Sequence, residues 1–206
     1  MKKVITAIVT VAILFSLQVL AFATPQENVT VDKDMFCNAD VLAKREEPRR
    51  TSKCLGSLKR GYKVHVIEQV PGTNWALCTD RYTSEYYVSV KYLVNSIDEV
   101  DLKWNGPKLT RYLGTIQGPT GKETFYNLNM SGCISYMKQL GYDYTYWVRS
   151  DGCKMYGDYI MVAANLAYYP KGSIVRCSLG FGIVVDTGTF IYMPGGATQL
   201  DIAVTW

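Results

Sequence analysis

Two aspartates in the last quarter of the chain have the residue type and setting for acid–base chemistry. Asp186 opens Asp186-Thr187-Gly188 after the β-branched run Ile183-Val184-Val185, and Asp201 lies inside Leu200-Asp201-Ile202-Ala203-Val204. Upstream, Val162-Ala163-Ala164-Asn165 leads to the turn Pro170-Lys171-Gly172. Each carboxylate thus sits at the end or on the polar face of a short strand-like run, which is how an all-β barrel presents acids at a groove. Paired carboxyls suit glycosidic bonds. A protonated one donates to the leaving oxygen, and charge on the sugar ring is stabilised.

What the chain lacks removes other chemistries. Its single histidine, His65, lies in Lys63-Val64-His65-Val66-Ile67, far from the aspartates, where a structural or surface role is the simpler reading. A Ser-His-Asp or Cys-His arrangement in the second half is therefore excluded, and with it a His-ligated zinc. No C-x-x-C spacing occurs, so a thiolate zinc site has no support, and no metal or organic cofactor is indicated.

Each candidate also has a plainer reading. D-T-G is a common turn in which Asp caps its own backbone, and a lone strand carboxylate is usually solvated. In the final run, however, Leu200, Ile202 and Val204 share one face while Asp201, Ala203 and Thr205 share the other. Asp201 points away from the apolar set. It is assigned as general acid/base, with Asp186 nearby to raise its pKa or to stabilise the transition state. Asn165 is placed to hydrogen-bond either one. Asp151 and Asp158 read as turn residues beside Gly152 and Gly157. Glu123, beside Gly121, reads as part of a solvated loop and is the alternative acid. The near-alternation of Tyr142, Tyr144 and Tyr146, with Trp147, suits core packing better than stacking on sugars.

These residues need a β scaffold. The second half offers Thr124 to Leu128, a helix over 130–140 stopped by Gly141, and then five strand-like runs: Tyr144–Val148, Tyr159–Ala163, Ser173–Val175, Ile183–Val185 and Leu200–Thr205. The first half, 29–94, is built of short alternating runs such as Trp75-Ala76-Leu77-Cys78 and Tyr86-Tyr87-Val88-Ser89-Val90, consistent with a small closed barrel. Residues 96–107, closed by Gly106-Pro107, read as a linker. Met1-Lys2-Lys3 and the apolar run from Val4 to Ala23 read as a secretory signal peptide, residues 1–23. The run also has the length of a bilayer span, so an uncleaved membrane anchor is the alternative. Loss of Lys2 and Lys3 with the leader lowers the formal charge from +4 to +2, which argues against a nucleic-acid surface. Six cysteines, Cys37, Cys54 and Cys78 in one half and Cys133, Cys153 and Cys177 in the other, imply either a bridge between halves or two free thiols.

The ordered set of Asn165, Pro170-Lys171-Gly172, Asp186-Thr187-Gly188 and Leu200-Asp201-Ile202 resembles the 3D domain of bacterial murein-cleaving proteins, named for three aspartates on a six-stranded double-psi β-barrel with one short helix. Asp186 and Asp201 match the second and third aspartates; Asn165 stands where the first is expected. Thr189 to Gln199 replaces a Gly-rich stretch that usually carries a basic residue. Residues 29–94 resemble a bacterial SH3-like (SH3b) domain through Leu42 to Pro48, Leu55 to Ile67, Asn74-Trp75 and Tyr86 to Leu93. The resemblance implies a small SH3-like barrel followed by a double-psi barrel over 108–206, in a secreted or wall-associated protein whose partners are peptidoglycan glycan strands and stem peptides. It implies lytic transglycosylase activity with Asp201 and Asp186 catalytic and Asn165, Thr187 and Gly188 binding substrate. The alternative is a wall-binding protein that holds glycan without cutting it.

Overall fold

Residues 28–80 and 84–206 are described by the computed structural model; the apolar leader, 1–23, lies outside them. Seven strands occupy the described residues of the first half: β1 (Val29–Cys37), β2 (Leu42–Arg45), β3 (Cys54–Leu58), β4 (Lys63–Gln69), β5 (Trp75–Thr79), β6 (Glu85–Ser89) and β7 (Leu93–Val94). They form one antiparallel sheet in the order β3-β2-β6-β5-β4-β1-β7. Alternation drives it: Val64 and Val66, Ala76 and Cys78, and Tyr86 and Val88 all point into one buried core.

The second half contains β8 (Ile116–Gln117), β9 (Lys122–Tyr126), α1 (Ser131–Gln139), β10 (Tyr146–Val148), β11 (Lys154–Tyr156), β12 (Tyr159–Ala163), β13 (Ile174–Cys177), β14 (Gly180–Asp186) and β15 (Leu200–Ala203). Six strands, in the order β10-β11-β12-β15-β9-β8, make a mixed, strongly curled half-barrel; β14 pairs with β12 and carries β13. Two pairings are parallel, β12 with β14 and β9 with β15. β12 is buried along its whole length because both its faces are covered. Ile160 and Val162 join Val184, Leu200 and Ile202 on one side, while Tyr159 and Met161 join Ile183, Val185 and Ala203 on the other. Helix α1 seats the fully buried Met137 in that second cluster. It ends in a Schellman turn: Gly141 takes φ +83°, Tyr142 N–H reaches Met137 O at 3.0 Å, and Gly141 N–H reaches Lys138 O at 2.9 Å.

The segment read as a linker is packed in place. Val100 and Leu102 enter the α1-side core, Asp101 N–H donates to Asn38 Oδ1 at 3.0 Å, and Arg60 Nη1 donates to Asp101 O at 3.2 Å. Phe36 of β1 joins the same core, edge-on to Tyr159 at 6.4 Å between ring centroids. Tyr159 Oη donates to Gly61 O at 2.8 Å, and Lys63 pairs with Asp158. The two halves therefore share one core. All six cysteines are free thiols, which corrects the expectation of a bridge or only two free thiols. Cys37 and Cys177 are buried, each with its thiol donating to a carbonyl nearby in the chain, Ala39 O and Gly180 O. Among the described residues no helix is long and apolar enough to cross a membrane.

Gly61 is a close approach between the halves. Its φ is +82°, and a Cβ there would lie 2.4 Å from the Phe181 ring. Gly72 has a similar φ, +66°, with open space around it. Of these two, strain and overlap act together at Gly61, so Gly61→Ala is expected to lose roughly 2–4 kcal/mol in a urea titration and Gly72→Ala about 1 kcal/mol. Equal losses would show that the Gly61–Phe181 contact contributes nothing.

Candidate functional site

Asp186 ends β14 and Asp201 is the second residue of β15, and both are in register with Ala163 of β12. Asp201 pairs in turn with Thr124 of β9. One row, Asp186, Ala163, Asp201 and Thr124, thus crosses four strands. The two aspartate backbones are about 10 Å apart, two strand spacings, with Ala163 between them in the row. The row exists because of a bulge: Ile160, Met161 and Val162 pair with Gly182, Ile183 and Val184, but Ala163 pairs with Asp186, leaving Val185 in excess. Bulges commonly re-aim a side chain beside a functional site.

A chain of donors orients Asp201. Gln199 Nε2 donates to Thr124 Oγ1 at 3.2 Å, and Thr124 Oγ1 donates to Asp201 Oδ1 at 2.8 Å. Burial raises the Asp201 carboxyl above the ordinary aspartate range; the Thr124 hydrogen bond opposes that shift and the Asp186 charge adds to it. Asp186 Oδ1 accepts the N–H of Thr187 at 2.9 Å, so the capping turn expected of D-T-G is present within the row itself.

Three further side chains converge on the acids. Cys133, the third residue of α1, sits beside Asp186; burial raises its thiol pKa, the Asp186 charge adds, and Lys171 opposes. Lys171 donates to Val185 O and lies 5.2 Å over the Tyr136 ring. Tyr126, opposite Ala203 and two residues beyond Thr124, holds a hydroxyl closed off from solvent that has no hydrogen-bond partner among the described residues. Its phenol is raised by burial, then by the charges of Asp186, Cys133 and Asp201.

Asn165 lies two residues past Ala163 and turns its amide into its own loop, with Oδ1 accepting Ala167 N–H at 3.1 Å. Its backbone carbonyl accepts from Tyr168 and Tyr169, which shapes the path to Pro170-Lys171-Gly172. Thr187 is exposed, and Gly188 starts the short 3-10 turn Thr189–Tyr192. Glu123 corrects the solvated-loop reading: it is fully buried in β9, with Oε1 accepting Ser178 N–H at 2.8 Å and Oε2 accepting Ser178 Oγ–H at 2.6 Å. Sequence-adjacent glycine at 121 suggested a loop, but β9 is clamped between β8 and β15. Tyr142 and Tyr144 pack partly into the core, whereas Tyr146 and Trp147 are exposed. Asp151 pairs with Arg149 and Asp158 with Lys63, both from turns. Among the described residues no group of three or more His, Cys, Asp or Glu side chains is arranged to hold a metal ion.

Thr124, Tyr126, Gln199, Cys133 and Lys171 escaped the sequence reading. The period-2 spacing of Thr124 and Tyr126 was a signal for a shared face, but only the parallel β9–β15 pairing says what that face meets. Compared with known proteins, the chain matches no family model, no curated protein and no solved structure.

An unpartnered buried hydroxyl is unfavourable to the fold, so removing it has a definite sign. Tyr126→Phe is expected to leave unfolding free energy unchanged or raise it by up to about 1 kcal/mol in urea. A loss larger than that would show that the hydroxyl has a partner in solution.

Proposed function

We propose that this chain is an exported, bacterial, peptidoglycan-acting protein: an SH3-like barrel followed by a double-psi β-barrel of the 3D type, cleaving glycan strands as a lytic transglycosylase. The fold assignment draws support from the two parallel pairings within the curled half-barrel. The observation that carries the activity is the half-buried Asp201, its carboxyl held toward the protonated form, in register with Asp186 across Ala163. Two carboxyls in unlike surroundings divide the roles of acid and charge stabiliser.

In the proposed reaction Asp201 gives its proton to the glycosidic oxygen as the bond from the anomeric carbon to that oxygen breaks. Asp186 stabilises the positive charge on the ring. The 6-hydroxyl of the same sugar then attacks the anomeric carbon and returns its proton to Asp201, closing a 1,6-anhydro ring. No water is consumed, and the enzyme ends in its starting protonation state. Thr124 keeps Asp201 aimed, and the extended segment around Thr187 and Gly188 borders the sugar. The substrates in this reading are glycan strands bearing stem peptides, met in a secreted or wall-associated location.

One observation favours a second reading, a wall-binding protein that holds glycan without cutting it. Asn165 supplies no carboxylate and spends its amide on its own loop. Mass spectrometry of peptidoglycan incubated with residues 24–206 separates the two. Catalysis predicts 1,6-anhydro-muropeptides, reduced at least about 100-fold by Asp201→Asn and less by Asp186→Asn. Release of nothing, with the protein sedimenting with the insoluble wall, would overturn catalysis in favour of binding.

A further inference from the structure

A cleft enclosing about 510 Å³ lies between the two halves, bordered by Tyr159 and Lys63. Its volume falls in the range of small-ligand sites, and junctions between domains are where such sites concentrate. The shared core and the Tyr159–Gly61 hydrogen bond hold its walls in place, so the cleft is preformed. Leu58, Ile174 and Ile183 supply apolar lining, and Tyr62, Tyr142 and Tyr144 supply aromatic rings.

Among the described residues, most of the cations at the cleft have carboxylate partners. Lys44 pairs with Asp80 at 3.1 Å, Lys63 lies between Asp34 and Asp158, and His65 lies between Asp32 and Asp34 at 3.1 Å from each. Lys171 is the exception. It lines the cleft, donates to one backbone carbonyl, and among the described residues has no carboxylate within ion-pair distance. An ammonium with donors to spare, on a residue that borders an aromatic and apolar lining, is complementary to a single carboxylate on an arm with an amide or sugar body.

We propose that this cleft is a second binding site, taking a carboxylate-bearing arm of the polymer with the carboxylate on Lys171. It rests on the peptidoglycan reading for the identity of the polymer and not for the binding itself. Because Lys171 also bonds Val185 O, beside Asp186, an arm seated here is tied to the same strand end that presents the acid pair. Two sources offer this chemistry, a lactyl ether carboxylate on the sugar and a carboxylate on an attached peptide.

Backbone-amide NMR on the purified full chain tests the site with three probes: N-acetylmuramic acid, an N-acetylated acidic dipeptide, and a neutral N-acetylglucosamine trimer. The expected result is that at least one carboxylate probe shifts amides of Tyr62–His65 and Lys171–Ile174 together, and which one does so identifies the source. Lys171→Met should weaken that binding about 10-fold or more, and Lys171→Arg should restore it. Absence of coupled shifts with both carboxylate probes, or equal affinity in Lys171→Met, overturns the site. Shifts without murein cleavage would overturn the catalytic reading and leave the cleft standing; cleavage without shifts would do the reverse.

Discussion

Val185 is the residue that β14 holds in excess of β12, and the geometry of the acid pair depends on it. Without that bulge the parallel ladder would set Val185 opposite Ala163 and turn Asp186 to the other face, since a one-residue slip inverts every following side chain. With it, Asp186 and Asp201 flank the same alanine from opposite edges of one strand. Ala163 matters by its size: a larger side chain would fill the space between the carboxyls. The row then continues to Thr124, whose hydroxyl orients Asp201 and is itself oriented by Gln199. Local backbone irregularity and a small residue thus place the two charges, and a neighbouring strand aims one of them.

The second constraint is the core that the two halves share. Phe36, Val100 and Leu102 leave the first sheet and its exit segment to pack with Tyr159, Met161 and Ile183. Gly61 lets the backbone approach Phe181, and Tyr159 closes the contact through its hydroxyl. Hinge motion between the halves would expose this apolar surface, so the fold resists it. The cleft beside the shared core inherits that rigidity, and Lys171 joins the cleft to the acid row.

Much of the scaffold was legible in the chain. The strand Tyr159–Ala163 was readable as a continuous apolar run, α1 from its spacing and Gly141, and the faces of β15 from strict alternation: Leu200, Ile202 and Val204 lie in one core and Ala203 in the other. What escaped were matters of pairing. Glu123 looked solvated because its neighbours are polar, yet strands on both sides and two hydrogen bonds from Ser178 bury it. The segment 96–107 looked like a linker because it is charged, yet Ile97, Val100 and Leu102 pack into the core. Tyr126 and Cys133 join the site from a parallel strand and a helix far away in sequence, and no local pattern announces a parallel partner. The engagement of Asn165 with its own loop was not legible either.

The electrostatic asymmetry of the acids is the physical centre of this account. Burial and the Asp186 charge hold the Asp201 proton beyond the pH at which an ordinary aspartate releases it, against the pull of Thr124. Carboxyl-carbon NMR of Asp201 across the acid range measures this directly, in the wild type and in Asp186→Asn. The expected midpoint lies above the usual value of about 3.9 and moves down when Asp186 loses its charge. A midpoint at or below the usual value, unmoved by Asp186→Asn, would contradict it.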